Sequence, residues 1–595
     1  MLHLESQEIQ DGLVPQSDDA DGRTLFDSPQ TSEDGTVLAV FPQNTFDRWN
    51  TQALVHIESS DKRTYLAQVV KGPFAAPVGI QAQAQPLVIS QIENALFTPP
   101  YHGWVALEIL TEIKDGQKIV PLFRPRPNSP VKLLSTKDTQ EALACDGDLR
   151  LGRAVGYDGV GVGLKSTEKH HVPRHTLVVG TTGAGKSTFL AGWIERLSQA
   201  GFCVLLLDVE GEYASLHRAA ASANILPALQ QWGLEPAGLP NNYLLVPTDL
   251  NPSDSTHPAI RRFSIEFANI SPHVASELLQ GNEAQTERFL AAYDAACELY
   301  FQTLPDDRRK THEELLRNWD DQEDGYPGLR LGHVLDMAEA VAEVVGNGEI
   351  QERFLHDDGF KHEVDRLRQK AADVKRKHTN VASWRKTVSL LAKLYRSRLF
   401  DRHDSIAADG RKITSLNYVN MLKPGHVVIF DVAAVDNPTH RNLAIADVLR
   451  GVAAAQDQLY DAAAAGQKPK TVIIIEEAHE FVGAGRARQL PMVMEQLQRI
   501  ARRGRKRWLG LTFASQFPGH LPNELYSLCN NKVLLKIADE PTLTQLKKSV
   551  GGVPESLWTR LKHLPPGQAI VSAQGIDPAL LVQLEPGRGM LQMVD

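Results

Sequence analysis

The sequence predicts an α/β protein: a parallel-sheet core that carries a helical insertion and is preceded by a small β-barrel. Three observations lead there. From about residue 145 onward, strand-sized apolar runs (HTLVVG, VLLLD, TVIII) alternate with helical stretches, the pattern of a parallel α/β sheet. From about 36 to 140, short alternating runs (TVLAVF, ALVHI, TYLAQVV, WVALEIL, IVPLF) are separated by Gly, Pro and Asn turns, as in a small barrel or sandwich. Between about 255 and 420 apolar residues recur at helical period (ERFLAAYDAACELYF, VLDMAEAVAEVV, SWRKTVSLLAKLYRSRLF) with almost no β-branched runs, so this stretch reads as a helical insertion between two strands of the sheet.

The elements follow in chain order. Residues 1–35 hold nine Asp or Glu against the single Arg23 and few large apolar residues, and are expected to be a disordered acidic tail. Residues 36–140 form the barrel, 141–254 and 421–595 the core, and 255–420 the insertion. A length of 595 residues suits roughly three or four folded units, and 42% hydrophobic with 23% charged residues is ordinary for a folded protein. The apolar runs fall far short of the roughly 20 residues a membrane helix needs. The start MLHLESQEIQDG lacks a basic n-region and an apolar h-region. Cys145, Cys203, Cys297 and Cys529 show no paired spacing, which fits a reducing cytoplasm.

The chemistry begins at Gly180. Residues Gly180, Thr181, Thr182, Gly183, Ala184, Gly185, Lys186 and Ser187 satisfy G-x-x-x-x-G-K-[ST], with an apolar strand before them and an amphipathic helix from Thr188 after them. The glycines let backbone N–H groups converge on a β-phosphate at a helix N-terminus. Lys186 offers a point charge to the β- and γ-phosphates, and Ser187 can ligate Mg2+. Such a loop needs an acidic partner. The apolar strand in KTVIIIEEAHEF ends in Glu476 and Glu477; the first is expected in the magnesium shell and the second to polarise the attacking water. The strand WLGLTFAS ends in Gln516, at the place of a polar γ-phosphate sensor.

Residues 499–507 read RIARRGRKR, six cations in nine positions of a chain whose formal net charge is -9. Neutralising nucleic-acid phosphates and reaching a nucleotide on a neighbouring subunit compete as explanations, beside a plain solvated helix face.

Taken in order, the β-rich module, GTTGAGKS, LLLDVEGEY with Asp208, Gly211, Glu212 and Tyr213, the helical insertion, IIIEEAH, RRGRK and FASQFP resemble the HerA family of hexameric DNA-translocating ATPases. The likeness spans about residues 36–590. It implies a RecA-like core assembled as a homo-hexamer around double-stranded DNA, with ATP and Mg2+ as cofactors. It also implies an N-terminal barrel that docks a partner, typically a nuclease; a phage-defence effector would leave the same marks on this chain. It places Asp208 and Glu212 near the nucleotide or the channel. Arg502, Arg503 and Arg505 become candidates for an arginine finger reaching an adjacent subunit's nucleotide, since a planar guanidinium suits a developing phosphoryl charge. Arg174, just before the first core strand, resembles a further basic position near the nucleotide. The function so implied is an ATP-driven DNA translocase; a ring scaffold that licenses a partner with little translocation is the alternative.

Other features carry less. His170, His171 and His175 have no matching ligand set. The His356–Asp357 pair lacks the further histidines and acids of a phosphohydrolase. Arg486 and Arg488 are candidates to face a channel. No second carboxylate cluster is legible, so the sequence predicts a chain that does not itself cut DNA.

Overall fold

The structure is a computed structural model, which describes residues 20–27, 35–77, 91–92, 95–96, 100–115, 117–143, 145–157, 159–279, 281–320, 324–464, 466–483 and 491–592. Most of the acidic tail, and Arg486 and Arg488, lie outside the described residues. Two compact units share the chain: the residues up to Leu164 with 551–564 and 568–584, and residues 165–550 with 565–567 and the segment from Glu585 onward.

The first unit contains a closed six-stranded barrel. Its strands run Thr36–Pro42, Gly22–Thr24, Pro130–Leu133, Leu54–Glu58, Thr64–Pro77 and Tyr101–Lys114, the last pairing back onto Thr36–Pro42. So few strands leave an interior that side chains fill; Phe41, Trp49, Val55, Ile57, Tyr65 and Leu107 do so, with Phe41 and Trp49 stacked at 4.5 Å. Gly22–Thr24 belongs to this barrel, although its surroundings read as tail. The run is too short and polar to show a strand pattern, and it is held by bonds from far along the chain: Thr24 Oγ1 donates to the Arg126 carbonyl at 2.8 Å and accepts from the Ser129 amide at 2.9 Å. The same unit holds four antiparallel strands in the order Gly161–Leu164, Leu149–Ala154, Ile576–Leu584, Gln568–Ala573.

The second unit is built on a parallel sheet of nine strands: β1 (Thr176–Val179), β2 (Cys203–Asp208), β3 (Asn242–Pro247), β4 (Ile260–Ser264), β5 (Ile413–Ser415), β6 (Val427–Asp431), β7 (Thr471–Ile475), β8 (Leu509–Ser515) and β9 (Asn531–Leu534). Their spatial order is β9-β1-β8-β7-β2-β6-β3-β4-β5. The central strands are buried along their whole length, as unbroken Val, Ile and Leu runs require when helices cover both faces. The helices that matter for the site are α1 (Lys186–Gln199), α2 (Glu283–Thr303), α3 (Leu331–Val345), α4 (Val364–Lys375), α5 (Val381–Arg396), α6 (Pro438–Ala462), α7 (Ala478–Val482) and α8 (Pro491–Arg507). Among the described residues no helix is long and apolar enough to cross a membrane.

Helices α2 to α5 form the insertion, with Phe289, Tyr293, Trp384 and Leu391 in its core. The helical stretch is shorter than 255–420, because IRRFS (β4) and ITS (β5) add two strands to the sheet edge. Arg261 and Arg262 hide β4 from any apolar pattern. Arg262 is buried by tertiary structure, donating from Nε and Nη2 to Asp409 Oδ2 at 2.9 and 2.7 Å.

The C-terminal segment straps the first helix after β1. Arg588 Nε donates to Glu195 at 2.6 Å, and the Gly587 amide donates to the Thr188 carbonyl at 3.1 Å. A Cβ on Gly587 would stand 2.6 Å from the Gly192 backbone nitrogen, so only glycine allows this approach. Gly587→Ala is therefore expected to destabilise the fold by about 1–3 kcal/mol through overpacking, read as a lower denaturant midpoint.

Candidate nucleotide site

Strand β1 lies between β8 and β9, and the turn that leaves it at Gly180 leads straight into α1. Gly183 and Gly185 adopt φ of 76° and 96°, conformations that L side chains resist, and they allow the turn to fold over the helix start. The loop is tied to its neighbours. Thr181 N and Oγ1 both donate to the Lys536 carbonyl at 3.0 Å, Ala184 N donates to the Thr181 carbonyl at 3.1 Å, and Thr182 Oγ1 donates to Gln516 Oε1 at 2.6 Å. The first amides of a 14-residue helix thus open toward the space cradled by Gly180 to Thr188, where an anion is favoured by unsatisfied N–H groups and the helix dipole together.

Register brings the acids to the same edge. Val179 sits opposite Ser515, Ile475 opposite Phe513, Leu207 opposite Ile475 and Asp208 opposite Asp431, so the C-terminal ends of β1, β8, β7, β2 and β6 form one row. Glu477 follows β7 in a left-handed conformation (φ 42°) and makes an ion pair with Lys186, both side chains buried. His479 Nδ1 lies 3.0 Å from the other Glu477 oxygen, which also accepts the Gln516 amide at 3.3 Å. Burial by itself would raise the Glu477 carboxyl, but His479, Lys186 and the Gln516 amide outweigh it and hold the group at about 2.

Glu476 has the opposite environment. It is 1% exposed, and neither carboxylate oxygen meets a neighbouring donor within the hydrogen-bonding geometry. Burial, then the Asp208 and Glu212 carboxylates, push it well above the usual range. Asp208 is raised to about 7 by burial although it accepts the Tyr213 and Gly211 amides at 2.9 and 2.7 Å. Burial thus favours the protonated form of each acid over its usual ionised one. Oxygens of Glu210, Glu212 and Glu476 lie within 4.8 Å of one another beside Lys186 and Ser187. Orphaned buried oxygens ringed by carboxylates fit a hard divalent cation such as Mg2+; bound there, it would neutralise phosphate and carboxylate charge together.

The cationic run ends up elsewhere. Helix α8 follows β7 and α7 and returns antiparallel to the strands, so its last turn meets the N-terminal end of β8. Arg502, Arg503 and Arg505 are exposed there and, among the described residues, make no ion pair, whereas Arg507 pairs with Asp457 at 3.3 Å and with Asp461, both on α6. Arg174 sits in the turn before β1, desolvated and opposed by Arg505. Within its own chain Arg174 stands apart from the Gly180 loop: β1 separates the two, and the structure groups Arg174 with Arg505 at the opposite edge. Gln516, Lys186, Glu476, Glu477 and the Gly180–Thr188 loop do come together, with Asp208 and Glu212 beside them. The sequence reading assigned no role to Glu210 or His479, although both stand within motifs it used, two residues from Asp208 and from Glu477.

A family model described as "Helicase HerA, central domain" matches residues 149–452. The chain belongs to the HerA family. Curated HerA relatives match about four fifths of it: the DNA double-strand break repair helicase HerA of Saccharolobus solfataricus is 21% identical over 503 residues, covering 84% of this chain and 81% of the relative. The probable HerA helicase of Methanocaldococcus jannaschii is 22% identical over 491 residues, covering 80% and 84%. Among solved structures, the conjugative coupling protein TrwBΔN70 covers 78% of this chain and 94% of its own at 13% identity and a TM-score of 0.43. VirB4 of Thermoanaerobacter pseudethanolicus covers 74% and 96% at 14% identity and a TM-score of 0.36. The chain is an ATPase, with ATP and Mg2+ as its cofactors.

The raised Asp208 carboxyl, beside Glu476, sets a pH dependence. A carboxyl whose folded-state value is raised holds its proton where the unfolded chain has lost it, so its contribution to stability falls as pH rises from the usual carboxylate range to about 7. Glu476→Gln removes one of the competing charges. In nucleotide-free, metal-free protein, the variant's denaturant midpoint is expected to gain on the wild type as pH is raised from acid to above 7.

Proposed function

We propose that this ATPase is a DNA motor: a homo-hexamer that encircles double-stranded DNA and couples ATP hydrolysis to its translocation. The observation that carries the reading is the separation of the two edges of the sheet. Lys186, Glu476 and Glu477 stand at the C-terminal edge, and Arg174, Arg502, Arg503 and Arg505 at the N-terminal edge of the same strands. A head-to-tail ring closes such a pair of edges on one another, so that one subunit's arginines meet the next subunit's nucleotide. In this reading Lys186 and the Gly180–Thr188 amides hold the phosphates and Gln516 senses the γ-phosphate. Ser187 and Glu476 complete the magnesium shell, and Glu477 aligns the attacking water once a phosphate has drawn Lys186 away. The names of the HerA relatives, which are double-strand break repair helicases, support DNA as the track.

The barrel, in the same proposal, docks a separate nuclease or a phage-defence effector in the cytoplasm. It exposes Phe26 and Leu122, each 81% accessible, with Val120 and Phe123 close in sequence. The Asp27–Arg124 ion pair, at 2.8 Å, draws these two stretches together.

Duplex DNA is expected to stimulate ATP turnover of the purified chain. Glu477→Gln should bind ATP without turning it over, and Lys186→Ala should bind it weakly. Turnover indifferent to DNA would favour the scaffold that only licenses a partner.

The arginines are tested in trans. Replacing the finger among Arg502, Arg503 and Arg505 by Ala should cut turnover on the order of 10³-fold with near-normal nucleotide binding. Mixing that variant with Lys186→Ala should restore part of the activity, because hybrid rings contain intact interfaces. Lost DNA binding with normal basal turnover would make the run a phosphate grip instead.

A further inference from the structure

The insertion holds a second set of ligating side chains, remote from the nucleotide motifs. Asp336 and Glu339 stand one turn apart on α3, and His356 arrives from the segment after the turn Glu352–Phe354. The ligand atoms of the three lie within 4.8 Å of one another. The sequence reading dismissed His356 for want of partners; they come from a helix twenty residues earlier.

Asp336 is fully buried and spends its acceptors on this one segment. Its Oδ1 accepts both the backbone N–H and the Nδ1–H of His356 at 2.8 Å, and its Oδ2 accepts the Asp357 amide at 2.9 Å. These contacts turn the Nδ1 edge of the imidazole toward the carboxylate. Tyr395 packs edge-on against the ring at 4.6 Å and further limits its rotation. A carboxylate behind an imidazole is the arrangement that orients metal-bound histidines and raises their basicity. Next to the ring opens a cleft of about 480 Å³ lined by His356, Glu339, Glu343 and Glu349, with Arg385 at its wall.

From this geometry we propose that the helical insertion binds one divalent transition-metal ion, through the His356 imidazole and the Glu339 carboxylate, with Asp336 fixing the imidazole and the remaining positions open to the cleft. A nitrogen ligand beside carboxylates suits zinc, cobalt, manganese or iron, whereas magnesium prefers oxygen alone. The site therefore differs in chemistry from the acids around Lys186, and it does not depend on the motor reading.

The test uses full-length protein stripped with a chelator and titrated with Co2+ in the absence of nucleotide. The expected result is a visible ligand-field absorption that saturates at one Co2+ per chain and is displaced by Zn2+. Glu339→Gln and His356→Ala should each weaken that binding by about tenfold or more, with Mg2+-dependent ATP turnover unchanged. Glu476→Gln, in the other acid cluster, should leave the absorption intact. Glu339→Gln spares the Asp336–His356 bonds, so it decides the matter if His356→Ala fails to fold. Absence of stoichiometric Co2+ uptake, or uptake unaffected by Glu339→Gln, overturns the proposal.

Discussion

One ammonium group among five carboxylates organises the nucleotide-binding unit. Lys186 sits beside Glu477, with Asp208, Glu210, Glu212 and Glu476 close by, and it pairs with only one of them. Such a charge imbalance, partly buried at the end of a parallel sheet, is unfavourable unless protons or cations relieve it. Without ligand, the relief is the protonation that burial favours at Asp208 and Glu476 and the ion pair between Lys186 and Glu477. A bound cation would neutralise those carboxylates in place of protons, and a phosphate would compete with Glu477 for Lys186. The same residues can thus stabilise the empty fold and serve the loaded site.

The imbalance exists because the sheet is parallel. In parallel strands all C-terminal ends lie on one edge, so β1, β2, β6, β7 and β8 deliver their following residues into one row even though those residues span positions 180 to 516. The antiparallel return of α8 has the converse effect. It carries the cationic run away from that row to the strands' N-terminal ends, where Arg174 already waits and no described carboxylate pairs with Arg502, Arg503 or Arg505. The two edges carry opposite charge.

Much of this was legible in the sequence. The α/β core, the N-terminal barrel, the Gly180–Ser187 loop and the acids after TVIII all follow from local patterns, because a strand buried on both faces must be uniformly apolar and a phosphate loop needs glycines at fixed spacing. Elements held by distant partners were not legible. Gly22–Thr24 is a strand only because Pro130–Leu133 and Thr36–Pro42 flank it, and β4 tolerates Arg262 only because Asp409 meets it. The two edge strands left the insertion shorter than its helical period suggested.

The sequence by itself determined which groups the chain possesses for phosphate chemistry, and in what order, since residue type and local spacing fix the loop, the helix start and the strand ends. Tertiary structure alone decided which groups share a place. It set Glu477 against Lys186, left Glu476 without a donor, took Arg174 away from its own chain's phosphate loop, and wrapped His356 around Asp336. The reason is that strand order and helix direction, which no short-range pattern encodes, determine the distances on which every electrostatic energy depends.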